Sequence, residues 1–471
     1  RSRGLGDVYK RQAYTYADRY IAEFNFGYNG SENFAKGNRF GFFPSIAAGW
    51  IVSEEEFMRP VQNYINKLKL RASYGLAGND RFYNDDGSQK RFAYITTIGS
   101  TDGYKWGNSN AFYEKGGLRE GDPGVESLTW ETVKKANVGI ELGLFKMAEL
   151  QVDFFHERRE DIFMQRKNIP SSAGFPSAPW ANYGIVTNKG FDISLDLNKQ
   201  INKDWFISAR ASVTYAKNKI IEQDEDLGVL GTYRSSTGKP VGQIFGLVND
   251  GLYTEADFED VTTGKLKPGL PVPKFSDRVY PGDIKYLDLN GDNEITETDK
   301  TAIGGTVNPE LVYGFGINLS YKNIDFGAFF QGNGRTYRII GENQKNFLPG
   351  STIGAEGNIF TNASDAWTVD NPSQDVFYPR LHMGYNANNA QVSDWWLKDM
   401  SMLRLKNVEL GYSFSKNLIK KAAMEYARIF VRGTNLLQFS KFDLWDPELN
   451  TSNGLKYPIM ATYSIGLQVR F

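Results

Sequence analysis

Apolar and polar residues alternate one by one in segments spread along the whole of this chain. The last ten residues show it plainly: Tyr463, Ile465, Leu467, Val469 and Phe471 take turns with Thr462, Ser464, Gly466, Gln468 and Arg470. Successive side chains of a strand point to opposite faces, so one face of this segment is apolar and the other polar or tiny. The same period predicts about twelve long strands, near 19–28, 39–52, 67–77, 133–145, 149–159, 186–198, 204–217, 311–321, 324–334, 402–414, 426–438 and 461–471. In one of them Tyr313, Phe315, Ile317 and Leu319 alternate with Gly314, Gly316 and Asn318; in another Leu68, Leu70, Ala72, Tyr74 and Leu76 alternate with Lys69, Arg71, Ser73 and Gly75. The strand at 402–414 slips phase near Lys406–Asn407, which predicts a bulge.

Lysine and arginine on the polar face cannot look into lipid, so that face must line a wet or plugged interior if the apolar face meets a membrane. The connections point the same way. Those after 145, 198 and 321 are tight and those after 52 and 414 run to about a dozen residues, whereas those after 77, 159, 217, 334 and 438 are long. Short and long alternate, as in a transmembrane barrel with short periplasmic turns and long external loops. The pattern therefore predicts an all-β protein, an antiparallel transmembrane β-barrel, with a long external loop over 218–310. Its lipid face would carry Tyr313, Phe315, Ile317 and Leu319, and Phe471 would take the final strand position at the periplasmic edge.

Composition is compatible with this. No run of about 18 apolar residues is present, which rules out a membrane-spanning helix but not a barrel, whose strands are only half apolar. Phe, Tyr and Trp number 32, 26 and 9, and Gly 48, fitting aromatic girdles and a crowded interior. Charge is balanced, 54 Lys+Arg against 55 Asp+Glu, which argues against nucleic acid as a partner. Cysteine is absent, which excludes thiolate metal sites, and His156 and His382, the only histidines, stand in unrelated contexts that disfavour a multi-histidine site. No P-loop, serine elbow or HExxH motif occurs, which disfavours an enzyme, and Glu54–Glu55–Glu56 reads as a solvated face of a periplasmic connection. Residues 1–12 show neither an apolar leader nor strand alternation and read as a non-native start, leaving 13–471 as the barrel portion.

Two sets of residues carry candidate chemistry. Asp288, Asn290, Asp292, Glu294, Thr296 and Asp299 place oxygens along an EF-hand-like loop, with Asn293 where glycine is usual and Asp299 where the bidentate glutamate is usual. Ca²⁺ is the ion such a loop would take; a polar turn holding itself without metal is the bland alternative. Trp106, Trp180, Trp367, Trp395, Trp396 and Trp445 fall in or beside long external loops, where flat rings suit the CH faces of sugars. They serve equally as girdle or packing residues. His156, in the sequence Phe155-His156-Glu157-Arg158, is a rim residue that could sense pH.

Several segments resemble the SusC-type TonB-dependent transporters of Gram-negative outer membranes. They include YIAEFNFGYNGSENFAKGNRFGFFPSIAAGWIVSEEEFM (20–58), LKLRASYGLAGN (68–79), TVKKANVGIELGLF (132–145), VTNKGFDISLDL (186–197), PGDIKYLDLNGDNEIT (281–296), NPELVYGFGINLSYKNIDFGAFFQG (308–332), WTVDNP (367–372) and SDWWLKDMSMLRLKNVELGYSF (393–414). The resemblance implies the C-terminal strands of a 22-stranded barrel whose plug, TonB box and early strands have no counterpart here. It also implies import of oligosaccharides, or less often peptides, across the outer membrane, with TonB and a SusD-like surface lipoprotein as partners and outer-membrane lipid around the wall. Without its early strands the sheet is expected to stay open between its first and last strands. The rival reading is a secreted, calcium-stabilised all-β glycan-binding or adhesin module.

Overall fold

The computed structural model describes residues 7–84, 87–108, 111–175, 178–341, 349, 361–415, 418 and 423–471. Among the described residues thirteen strands form one antiparallel sheet in chain order. They are β1 (Asp7–Tyr16), β2 (Tyr20–Gly30), β3 (Phe40–Ile51), β4 (Ile65–Asn79), β5 (Glu131–Leu144), β6 (Ala148–Gln165), β7 (Trp180–Gln200), β8 (Trp205–Glu222), β9 (Leu311–Tyr321), β10 (Ile324–Gly334), β11 (Met402–Ser413), β12 (Tyr426–Ser440) and β13 (Thr462–Arg470). All twelve strands expected from alternation are present, and the order has two free ends, β1 and β13. The chain forms two compact units, Arg1–Asn198 with Thr214–Leu230 and Thr237–Lys239, and Lys199–Val213 with Gly231–Ser236 and Pro240–Phe471.

In the first unit, register stacks like with like. Tyr20, Ala22, Phe24, Phe26 and Tyr28 of β2 lie opposite Trp50, Ala48, Ile46, Pro44 and Phe42 of β3. Leu68, Leu70 and Ala72 of β4 face Leu142, Ile140 and Val138 of β5, which face Leu150, Val152 and Phe154 of β6. Many of these side chains are exposed, including Phe24, Ile46, Leu70, Val138 and Phe154. An apolar face left uncovered across neighbouring strands is the face a barrel gives to lipid. At its lower end Tyr20 stacks on Trp50, and Glu55 accepts from the Tyr20 hydroxyl (2.7 Å), Trp50 Nε1 (3.0 Å) and Arg19 (3.1 Å). Glu55 thus pins the girdle rather than forming a solvated face.

Residues 1–6 lie outside the described residues, but Asp7–Gln12, which lack alternation, are paired within β1 against Phe24–Asn29. The turn at Ala17–Arg19 sets the register from the other end. Lys10 and Gln12 consequently fall in the outward row beside Phe26 and Phe24. The strand continues through these residues although their chemistry does not suit the face, and this corrects the reading of 7–12 as lacking strand structure.

In the second unit, Tyr313, Phe315, Ile317 and Leu319 of β9 lie opposite Gly332, Phe330, Ala328 and Phe326 of β10, and Asn318 lies opposite Gly327. The expected bulge is present: Phe329 pairs with Asn407 and Phe330 with Leu405, leaving Lys406 over. Skipping one residue keeps Leu403 and Leu405 on the same face as Val408 and Leu410. β13 ends at Arg470, opposite Tyr426, and Glu425 N–H to Arg470 C=O is the next bond. Phe471 directly follows this last bonded position at the periplasmic end of the strand, and its ring is 81% exposed.

The long loop of this unit has its own core. Leu247, Leu252, Ile284, Tyr286, Ile295, Ile303, Trp367, Tyr378, Trp396 and Phe442 pack together and are almost fully buried. Asp394 ties into it through Asn249 (N–H, 2.8 Å), and Gln374 through Leu252 (N–H, 2.7 Å).

Candidate functional site

The inner face of the sheet is where the charges are, and they are paired across strands. In the first unit, Arg71 of β4, Gly139 of β5 and Asp153 of β6 share one row of the ladder. The Arg71 guanidinium reaches across Gly139 to Asp153 at 2.6 Å. A Cβ on Gly139 would sit 2.5 Å from Asp153 Oδ1 and 2.8 Å from Arg71 Nε, so only glycine leaves the bridge room. Glu141, two residues along β5, is held by Lys67 (3.1 Å) and Lys69 (3.2 Å).

The second unit repeats the device. Asp325 of β10 lies level with Gly411 of β11, whose partner on β12 is Phe430; Arg428, two residues before Phe430 and level with Ser413, reaches across Gly411 to bind Asp325 with two nitrogens, Nε at 2.9 Å. A Cβ on Gly411 would lie 2.2 Å from Arg428 Nη2. Glu409 accepts from both Arg428 and Arg432 at 2.6 Å, and these two guanidiniums flank the Phe430 ring. At the outer end of β11, Arg404 is 3% exposed and binds Asp446 through both carboxylate oxygens (2.5 and 2.6 Å). Guanidinium–carboxylate pairs of this density cannot face hydrocarbon. They make a polar inner wall. Sequence reading placed Arg71 on this face but missed the bridges; their signal, a glycine on the strand between the two charges, appears only when register is known.

The external layer places the expected tryptophans in different settings. Trp396 is buried, with Nε1 donating to Asn389 C=O (2.8 Å), and Trp367 is buried under Gly282 with the Arg380 guanidinium over its ring. Trp395 is half-buried and donates to Phe377 C=O. Trp180 stacks on Phe163 at 5.1 Å beneath the Lys90 ammonium. These four are packing residues with their faces occupied. Trp445 lines a cleft of about 320 Å3 with Tyr378, Asn362 and Leu455. Trp106 lies on a hairpin formed by Ile98–Asn108 and Ala111–Glu120, 46% exposed between Tyr104 and Tyr113. Trp106 is the one of the six whose side chain is exposed, while Trp445 is half-buried with its ring 4.9 Å from that of Phe442.

The 288–299 loop folds on itself. Asp288 accepts from the N–H groups of Gly291 (2.7 Å) and Asn293 (2.8 Å), Asp292 from Glu294 N–H, and buried Asp299 from Leu289 and Thr296 N–H. Asn293 takes φ +63°, as the glycine position requires. Glu294 turns to Lys274 (2.8 Å) and Thr296 to Thr298. Among the described residues no three His, Cys, Asp or Glu side chains gather as a metal cage. A cation here would draw on Asp288, Asn290, Asp292 and Asp299 together with backbone carbonyls, each carboxylate oxygen except Asp299 Oδ1, which accepts from both Leu289 and Asn290 N–H, keeping a lone pair beyond its loop hydrogen bond.

Two further charged groups brace the external side. Asp224, just past β8, accepts from the Arg166 side chain (2.7 Å), Lys167 N–H (2.8 Å) and Asn168 Nδ2 (2.7 Å). Burial pushes its carboxyl up, but these donors outweigh it and hold it at about 2. Asp283, fully buried, accepts from Asn389 Nδ2 (2.8 Å) and Tyr280 N–H (2.9 Å) and meets His382 Nε2 at 2.5 Å. His156 is exposed on the outward face of β6.

An outward apolar face, an inward face of paired charges and long connections at one end define a wall of an outer-membrane β-barrel. No family model matches the chain. It is 30% identical over 494 residues to TonB-dependent receptor P26 of Formosa agariphila, covering 99% of this chain and 46% of that protein. It is 24% identical to TonB-dependent receptor SusC of Bacteroides thetaiotaomicron, covering 99% and 44%. Among solved structures, the RagAB peptide importer in its open-open state superposes with a TM-score of 0.72 at 24% identity, over 99% of this chain and 46% of that one. The chain spans just under half the length of the relatives it matches. It belongs to the SusC-type TonB-dependent receptors and resides in the outer membrane, which sets aside the secreted-module reading.

Proposed function

We propose that this chain supplies wall strands and external loops of an outer-membrane importer for oligosaccharides, working with a SusD-like lipoprotein and TonB. The observation that carries the reading is the inner face, where Arg71, Arg428 and Arg404 are each neutralised by carboxylates on neighbouring strands or loops. Such a wall is wet but presents few unpaired charges to trap a neutral, hydroxyl-rich solute. Trp106 supplies an exposed ring, and Trp445 a half-buried one at the edge of a cleft, for the CH faces of sugars. The peptide importer RagAB shares the fold, and peptides are the other class the test must address. Calcium in the 288–299 loop is a separate proposal, supported by the order of its oxygens and by the lack of a cationic side chain on Asp288, Asp292 or Asp299 among the described residues.

The test is uptake by the native host with and without the gene. Loss should abolish growth on oligosaccharides too large for passive pores, and Trp445→Ala or Trp106→Ala should raise the concentration giving half-maximal uptake severalfold. Uptake of peptides alone depending on the gene would replace the oligosaccharide assignment, and dependence of neither would end the import reading.

A further inference from the structure

Two rows of basic side chains lie on the outward face of the first unit, directly above its apolar band. In the ladder, Ala136 of β5, His156 of β6 and Lys189 of β7 form one row, and Lys134, Arg158 and Thr187 form the next. On β8, Tyr215 packs on the Phe191 ring at 5.7 Å, and the Thr187 hydroxyl donates to Lys219 C=O. Alternation then sets Lys217 level with Lys189, and Lys219 level with Thr187, on the same face. The row immediately below is Val138, Phe154, Phe191 and Tyr215. Lys134 and Arg158 share one carboxylate, Glu160. His156, Lys189, Lys217 and Lys219 are exposed, and among the described residues no carboxylate pairs with those three lysines.

These strand ends lead into the long connections 80–130, 166–179 and 223–310, so the patch stands at the external boundary of the membrane. There the apolar row below meets acyl chains, and the lysines meet whatever heads them. Uncompensated cations held against the edge of hydrocarbon attract anions strongly, because screening by water is weakest there. A free anion would satisfy the lysines but not use the rings beneath; a lipid uses both. We propose that Lys189, Lys217 and Lys219, with His156 beside them, form a docking site for a phosphate-bearing lipid of the outer leaflet, its chains lying on Val138, Phe154 and Phe191. The inference rests on outer-membrane residence and not on the import reading.

The test uses the membrane-assembled receptor carrying this chain, delipidated in mild non-ionic detergent and followed by native mass spectrometry. The probes are diphosphoryl lipid A, the same lipid with its phosphates removed, and inorganic phosphate. The first should bind at least tenfold tighter than the second, and equimolar inorganic phosphate should not displace it. Lys189→Gln should weaken binding about fivefold, and the triple change Lys189→Gln, Lys217→Gln, Lys219→Gln on the order of a hundredfold. Lys135→Gln removes the same charge at the same height from the inner face and should leave binding unchanged. Equal affinity for the dephosphorylated lipid, displacement by inorganic phosphate, or an equal loss with Lys135→Gln would overturn the proposal. Should the triple variant fail to assemble, Lys189→Gln alone decides between the same outcomes.

Discussion

Gly139→Ala isolates what the missing side chain contributes. The new Cβ would lie 2.5 Å from Asp153 Oδ1, and ordinary contact begins at 3.4 Å, so the carboxylate must retreat by 0.9 Å. That retreat stretches the 2.6 Å bond to Arg71 beyond useful length. A charge-assisted hydrogen bond of this kind contributes about 1.5–3 kcal/mol. Alanine returns roughly 0.5–1 kcal/mol by restricting the unfolded chain. The net expectation is destabilisation by about 1–2 kcal/mol. Gly49→Ala is the matched control: it lies on the inner face of β3, and its Cβ would meet Ile21 at 3.5 Å, an ordinary contact. That change should be neutral or stabilising. The assay is reversible denaturant unfolding of the assembled receptor in lipid vesicles, followed by tryptophan fluorescence. Equal shifts for the two variants would refute the bridge argument, and so would a Gly139→Ala protein as stable as its parent.

Three other outcomes are expected. Ile317→Arg, outward on β9, should cost roughly 2–4 kcal/mol in the same unfolding assay, while Asn318→Arg on the inner face should be far better tolerated; equal costs would undo the face assignment. Because Asp224 is held at about 2, its clasp on residues 166–168 should be complete above its ordinary value near 4 and should loosen as pH falls from there toward 2; faster amide exchange of Lys167 and Asn168 at pH 3 than at pH 6, after correction for intrinsic rates and absent in Asp224→Asn, is the readout. Calorimetric titration with millimolar calcium should give a binding heat that Asp288→Ala removes without altering wall stability, and no heat in the parent protein would dismiss the metal.

The wall was largely legible before any coordinates, because a strand's two faces are written into alternate residues and lipid enforces the difference. The bulge at Lys406 was visible for the same reason, as a slip in phase that must be absorbed if Leu405 and Val408 are to share a face. Residues 7–12 were not legible, since a turn and a neighbour's register, not alternation, put them in β1. Nor were the roles of the tryptophans. Trp106 and Trp396 look alike in sequence, and what separates them is a loop core assembled from segments more than a hundred residues apart, such as Leu247 and Trp396. The Arg71 and Arg428 bridges needed three strands in register, information that no single strand carries.

Those two bridges bear on how the sheet chooses among its possible alignments. Sliding one strand past the next by two residues restores every backbone bond and returns apolar side chains to the apolar face. Backbone and patterning together thus leave a family of nearly equivalent alignments. Arg71 to Asp153 and Asp325 to Arg428 each join strands two apart, through a gap that exists only where one glycine stands. A slip of β5 or β11 by a single repeat replaces that glycine with Glu141 or Asn137, or with Glu409 or Ser413, and closes the gap. The bridges act as keys that fit one alignment, so errors made while strands are being added can be told from the correct product by charge.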